Sequence, residues 1–248
     1  MTPTKTTSNR MTPTPLSYKQ KHGGDLIHCQ RDQFGLLQVV DTESMRSLYF
    51  DSPVEQSRLY FHAPMSLSFE YQQVIETQIL QRHQQKPVQR VLMLGMGGGS
   101  IASHLNALQP DIQIHIVELR QAVIDIAYDY FHLPEEPEIE VMQEDALIYI
   151  EEALSEYDVI IVDVFDDSGL PGPFTANAFQ QNLLKNLKPA GLVLFNLWAH
   201  QDTHTKQQTE QIIEYWQKQQ QNQTIPSKMQ LNTYPIQSSE NIILSIQI

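Results

Sequence analysis

Asp163, Asp166 and Asp167 crowd into the stretch YDVIIVDVFDDSGLPGPFT, directly after an apolar run. Clustered carboxylates suit a cationic ligand, and a carboxylate held beside an amine can accept its proton. A capped turn would account for Asp167 and Ser168, but less well for Asp163, which closes the apolar run itself. A second stretch with chemical content is RVLMLGMGGGSIASHL, with Gly95, Gly97, Gly98 and Gly99. Glycines between a strand and a helix let the backbone approach a ligand closely. Glu118 follows about twenty residues on, the distance at which an acid can accept hydrogen bonds from a ribose diol. Asp145, in QEDA just before Ala146, can meet an adenine amino group or cap the helix ALIYI, and both readings stand.

Glycine loop, ribose acid and adenine acid on successive strand ends fit a dinucleotide or an adenosyl-sulfonium compound. The third glycine of the dinucleotide pattern G-x-G-x-x-G falls on Ser100, and no Arg or Lys stands in the loop for a diphosphate. The pattern therefore favours S-adenosylmethionine or a relative over NAD.

The elements that must carry these residues follow from periodicity. From Val88 onward, apolar strand-like runs alternate with helical spacing, which predicts a doubly wound, mainly parallel α/β sheet. YDVIIVDVF reads as a strand buried on both faces. MQLNTYP and NIILSIQI close the chain as strands. Residues 65–248 are assigned to this ligand-binding domain. Residues 25–64 contain LIHCQRD, GLLQVVD and SLYFD, which predict a small antiparallel meander. Residues 1–24 are rich in Thr, Pro and Ser, hold no acid and repeat MTPT at Met1 and Met11, so a disordered tail is expected, with Met11 as a second candidate start.

With 248 residues, 41% hydrophobic and 18% charged, the composition is that of a globular chain. The formal charge of −13 without a basic cluster argues against nucleic acid as a partner. No run approaches a membrane span, and no apolar leader is evident at the N-terminus. Cys29 is the single cysteine, which excludes an intrachain disulfide and fits a cytoplasmic location. The nine His form no His-Glu-x-x-His pattern, so no metal is expected.

From about Leu26 to its end the chain resembles the spermidine synthase (polyamine aminopropyltransferase) family. The family's D-x-x-D before Gly-Pro matches Asp163 and Asp166, with Gly172-Pro173 beyond. Its Tyr-(Gln/His) before the glycine loop matches Tyr71-Gln72, and its T-Y-P matches Thr233-Tyr234-Pro235. Its ribose and adenine acids match Glu118 and Asp145. The resemblance implies a Rossmann-like fold of the class I S-adenosylmethionine methyltransferase type. It also implies transfer of an aminopropyl group from decarboxylated S-adenosylmethionine to a polyamine such as putrescine. Asp163 would accept the proton, Asp166 would hold a substrate ammonium, and Tyr71 and Tyr234 would orient the amine, with Gln72 alongside. Gly95, Gly97, Gly98, Gly99, Glu118, Asp145 and Ala146 would contact the nucleoside. The family is often dimeric, which implies a homodimer.

Three departures accompany the match. The family's loop Asp, which binds the donor's amine, falls on Gly98. Its early Tyr-Gln appears as Phe34-Gly35, and its Gln-x-Glu as Asn196-Leu197-Trp198. A glycine at a helix N-terminus is expected to offer free N–H groups to an anion. Intact S-adenosylmethionine should then bind at least as tightly as the decarboxylated donor. A methyltransferase of the same fold, or a catalytically silent nucleoside-binding relative, are the rival readings.

Overall fold

The structure is a computed structural model, and it describes residues 22–153, 156–165, 169–198, 203–222 and 229–248. Asp166 and Asp167 lie outside the described residues, as does the expected tail as far as residue 21. His22, at the end of that tail, stacks on Tyr49 with ring centroids 3.9 Å apart.

The chain opens with β1 (Asp25–Asp32), β2 (Gly35–Asp41), β3 (Met45–Phe50) and β4 (Glu55–Tyr60), which form an antiparallel sheet in sequential order. Three of these strands carry the apolar alternation expected of a meander. β4 reads EQSRLY and lacks it, because its polar residues are consumed inside the fold. Glu55 pairs with Arg58 and accepts the Ser47 hydroxyl, and Ser57 faces the glycine loop.

Helix α1 (Glu70–Gln85) follows and stops ahead of Pro87, which cannot donate to a continuing helix. Then come β5 (Arg90–Leu94), α2 (Ser100–Leu108), β6 (Gln113–Glu118), α3 (Gln121–Phe131), β7 (Ile139–Gln143), α4 (Ala146–Glu152) and β8 (Tyr157–Val162). A 3-10 turn (Gly172–Thr175), α5 (Asn177–Lys185), β9 (Leu187–Trp198), α6 (Thr203–Gln221), β10 (Gln230–Pro235) and β11 (Asn241–Gln247) complete the chain.

The large sheet has seven strands in the order β10-β11-β9-β8-β5-β6-β7. The five strands from β9 to β7 are parallel, and β10 and β11 run antiparallel at one edge. The central strands β5 and β8 carry apolar runs because each face of this sheet meets a different layer. Val91, Met93, Val159 and Ile161 join the core beneath α1, α2, α3 and the small sheet. Leu92, Leu94, Ile160 and Val162 join the core beneath α4, α5 and α6. Trp216 of α6 is wholly buried there, and its indole N–H donates to Gln180 Oε1 at 2.9 Å.

The chain leaves β5 toward β6 on one side and returns at β8 on the other. The carboxyl ends of β5 and β8 therefore flank the switch point, where open sheets of this kind hold ligands. Among the described residues no helix is long and apolar enough to cross a membrane.

Candidate active site

A cavity of about 810 Å³ opens at these carboxyl ends. Its size suits a nucleoside with room for a second small molecule. The large sheet supplies one side, and β3, β4 and the turn between them supply the other.

The glycine loop shapes the floor. Gly95 has φ +85° and sits against the backbone of Asp163, where any Cβ would collide with the Asp163 carbonyl oxygen. Gly95 and Gly97 line the cavity. Gly98 and Gly99 do not, and here the sequence reading needs correction. The Gly98 N–H donates to Ser57 Oγ at 2.7 Å, and the Gly99 N–H donates to the Met96 carbonyl at 2.8 Å. A Cβ on Gly98 would lie 2.8 Å from the Phe131 ring, and one on Gly99 would lie 2.8 Å from Leu133. These two glycines let α2 pack under β4 and α3. The Gly98 N–H, spent on Ser57, is not free for an anion. Gly98→Asp should therefore cost roughly 1–3 kcal/mol of overpacking, or about 2–12 °C in Tm. Calorimetry of the variant checks this, and the variant should gain no preference for either donor.

Glu118 ends β6 and is 9% exposed, with its carboxylate on the cavity wall. Its Oε1 accepts the Arg120 backbone N–H at 2.9 Å. Burial pushes its carboxyl above the ordinary range, and the hydrogen bonds and charge of Arg120 pull part of the way back. The Arg120 guanidinium grips Asp32 of β1 through two bonds of 2.9 Å. It lies 4.9 Å from the Phe50 ring centroid and 5.8 Å from that of Phe34. Phe34, Phe50 and Arg120 thus form a wall that joins the two sheets beside Glu118. Asp145 caps a helix and also borders the cavity. Its Oδ1 caps α4 by accepting the Leu147 N–H at 2.8 Å, and with Ala146 it lines the cavity.

At the opposite end Asp163 follows β8. Its Oδ1 accepts from Asn196 Nδ2 at 2.8 Å, and its Oδ2 accepts from the Tyr71 hydroxyl at 3.4 Å. Burial raises the Asp163 carboxyl, and the bonds from Asn196 and Tyr71 oppose that rise. Burial and the neighbouring Asp163 push the Tyr71 phenol well up, so it stays protonated. Gln72 is buried between them and the helix start: its Oε1 accepts the Phe69 N–H at 3.3 Å and its Nε2 reaches the Tyr71 hydroxyl at 3.5 Å. Phe69, Phe165, Phe174 and Trp198 surround this end with rings.

Tyr234 is not brought here. On β10 its hydroxyl donates to Gln78 Oε1 at 3.1 Å, about two turns along α1 from Tyr71, and it does not border the cavity. The hairpin reaches the site through its turn instead, with Ser238, Ser239 and Asn241. Sequence reasoning also passed over Ser57, Arg120 and Asn241. Arg120 lies two residues after Glu118, but its partner Asp32 is 88 residues away, and no local pattern announces that pair.

The family model described as spermine/spermidine synthase domain matches residues 68–246. A polyamine aminopropyltransferase of Chromobacterium violaceum is 27% identical over 164 residues, covering 66% of this chain and 62% of that protein. The chain thus spans about six-tenths of the length of such curated relatives. An eEF1A lysine and N-terminal methyltransferase homolog of Drosophila melanogaster is 30% identical over 127 residues, covering 47% of this chain and 19% of that one. In structure, a probable spermidine synthase from Corynebacterium glutamicum superposes with a TM-score of 0.71 at 21% identity, covering 88% of this chain and 79% of the other. That likeness carries the fold, and the family match, which extends over most of the chain and takes in both the glycine loop and Asp163, carries the membership: the chain belongs to the spermine/spermidine synthase domain family.

Proposed function

We propose that the protein is a transferase that moves an aminopropyl group from decarboxylated S-adenosylmethionine to an amine such as putrescine. The observation that carries this reading is the placement of Asp163. A partly buried carboxylate with a raised proton affinity stands beside a neutral phenol, in the same cavity as Glu118 and the glycine loop. Glu118 and Asp145 suit the ribose and the adenine, and Gly95 and Gly97 let the sulfonium approach the backbone.

The electrophile is the carbon next to the sulfonium, so the protein's task is to prepare the nucleophile. An alkylamine is almost wholly protonated near neutrality, with a pKa of about 10. Asp163 holds the ammonium and takes its proton. The freed nitrogen lone pair attacks the carbon, the carbon–sulfur bond breaks with its electrons going to sulfur, and methylthioadenosine leaves. Tyr71 orients the amine through its hydroxyl, and the rings around it exclude water. Asp166 remains the proposed second anchor for a polyamine.

A methyltransferase reading has its own observation. In sequence Gly98 takes the position of the family's loop acid, and with Ser57 and Phe131 closing the space around it no acid is offered to the donor's ammonium there. One missing charged hydrogen bond, worth about 1.5–3 kcal/mol, removes roughly ten- to a hundredfold of preference for the decarboxylated donor. The two donors should therefore bind within about tenfold of each other in a calorimetric titration. Mass spectrometry of products with putrescine and each donor separates the readings. Methylthioadenosine with spermidine is the expected outcome. S-adenosylhomocysteine with a methylated product would replace this proposal with methyl transfer, and no product would leave a silent binding protein.

A further inference from the structure

Asp163 is one end of a line of side chains that runs from the cavity to an exposed turn. Its Oδ1 accepts from Asn196 Nδ2 at 2.8 Å. The Oδ1 of Asn196 accepts from Asn241 Nδ2 at 2.8 Å, and the Oδ1 of Asn241 accepts from the Ser239 hydroxyl at 2.7 Å. Asn196 sits on β9 with 2% exposure, Asn241 begins β11, and Ser239 lies in the turn between β10 and β11. The same turn is tied to α1, where the Glu70 carboxylate accepts the Ser238 N–H at 2.8 Å and the Gln237 N–H at 3.2 Å.

The direction of this line is not arbitrary. An ionised carboxylate can only accept, whereas an amide has one end that donates and one that accepts. A charged Asp163 therefore obliges Asn196 to present its NH2 group. The Asn196 oxygen then faces Asn241, which must also present NH2, and the Asn241 oxygen is left for the Ser239 hydroxyl. Every link donates toward the carboxylate. The dependence is mutual: an amide that donates favours the ionised form of a buried acid, and one that turned its oxygen inward would favour the protonated form.

We propose that Asn196 and Asn241 are positioning residues that keep Asp163 ionised and aimed at the amine, with Ser239 in the β10–β11 turn as the outer anchor of the line. The proposal rests on the reading of Asp163 as the proton acceptor. Two opposed influences on Asp163 give the line something to act on, since burial raises its carboxyl and the Asn196 bond lowers it. Tyr71 of α1 is the titratable group that faces Asp163 among the described residues, and it is neutral for the reason given above. On the β5 side Gly95 lies against the Asp163 backbone and brings no charge. Glu70 and Glu240 are the charged groups at the turn.

The test follows the Asp163 side-chain carboxyl by carbon-13 NMR through a pH titration without substrate. Its signal is identified by its loss in Asp163→Asn. Asn241→Asp places an acceptor against Asn196, turns that amide over and should raise the Asp163 midpoint by about one pH unit or more. Asn241→Ala adds no charge and should still raise it by roughly half a unit. Ser239→Ala, at the exposed turn, leaves every strand intact and should move it the same way by less. Midpoints in Asn241→Ala and Ser239→Ala that match the parent, in protein with the parent's circular dichroism, would overturn the proposal. The titration needs no turnover, so the two readings fail separately. Shifted midpoints without amine transfer would refute the proposed reaction and leave the line standing. Normal transfer with unmoved midpoints would refute the line alone.

Discussion

Replacing Asp163 with asparagine should lower kcat by about 10²–10⁴-fold, the usual loss when a general base is removed. Affinity for methylthioadenosine should stay within about twofold, because that ligand ends before the acceptor side. Asparagine is a close substitute in shape. Its oxygen can still accept from Asn196, and its NH2 can donate to the Tyr71 oxygen. What it lacks is the charge and the proton-accepting capacity.

The pH dependence gives a second readout. As the proposed base, Asp163 would work only when ionised, and burial raises its proton affinity above that of an ordinary aspartate, about 3.9. The parent's rate should therefore fall as pH drops through that raised value, and the fall should begin at higher pH than a solvated aspartate would give. Stability runs in the other direction. The folded state holds this proton more tightly than the unfolded chain does, so the group contributes stability below its unfolded pKa and loses it as pH rises through the folded one. The Asp163→Asn variant has no charge to bury at this position. At pH 8 it should melt no lower than the parent while turning over far more slowly. Turnover at the parental rate would remove Asp163 from the reaction, and a variant that melted much lower would mark it as a structural residue.

Glu118→Ala should weaken methylthioadenosine binding by roughly ten- to a hundredfold in calorimetry, the equivalent of one charge-assisted hydrogen bond of about 1.5–3 kcal/mol. The carboxylate is nearly buried and aimed along the wall shared with Arg120, so water is a poor substitute for it. The charge itself can be tested by pH. Burial raises this carboxyl as well, so nucleoside affinity should decline on acidification earlier than for an exposed glutamate. Glu118→Gln separates the contributions: it fills the same space and should flatten that pH dependence. Equal affinity in Glu118→Ala and the parent would mean that the nucleoside sits elsewhere in the cavity.

Much of this arrangement is legible in one dimension because it is local. The parallel strands announce themselves as apolar runs such as VIIV in β8, since burial on both faces favours apolar residues there. The strand–glycine–helix junction carries its own signature, Glu118 ends the next strand, and Asp145 lies two residues beyond the end of the one after it. Asp145 could be read as a helix cap or as an adenine contact from its position alone; the cap is present, and the side chain also borders the cavity. The failures lie where a residue's role is set from far away. Gly98 looks like an open helix end until Ser57, 41 residues earlier, takes its N–H and Phe131 takes its space. Tyr234 sits in a matching T-Y-P, but β10 pairs with β11 in a register that sets it opposite Ile243, and its ring packs over α1 rather than over the cavity. β4 hid itself because its charges neutralise one another inside the fold, leaving no apolar alternation to detect.

Arg120 and Asp32 fasten the small sheet to the large one beside Glu118, with Phe34 and Phe50 against the guanidinium. The cavity proposed for the nucleoside is therefore lined from both sheets and is complete in neither alone. A ligand wedged into this joint stabilises the closed molecule by mass action, adding its binding free energy to every opening that parts the sheets. Occupancy should be felt as a brake on such openings, and amide protons of β1 and β2 that escape through them would exchange more slowly. In the proposed reaction a departing product would leave through this joint. A tighter clasp there would trade residence time against turnover, so the strength of the Arg120–Asp32 ion pair would help to set how quickly the protein could begin again.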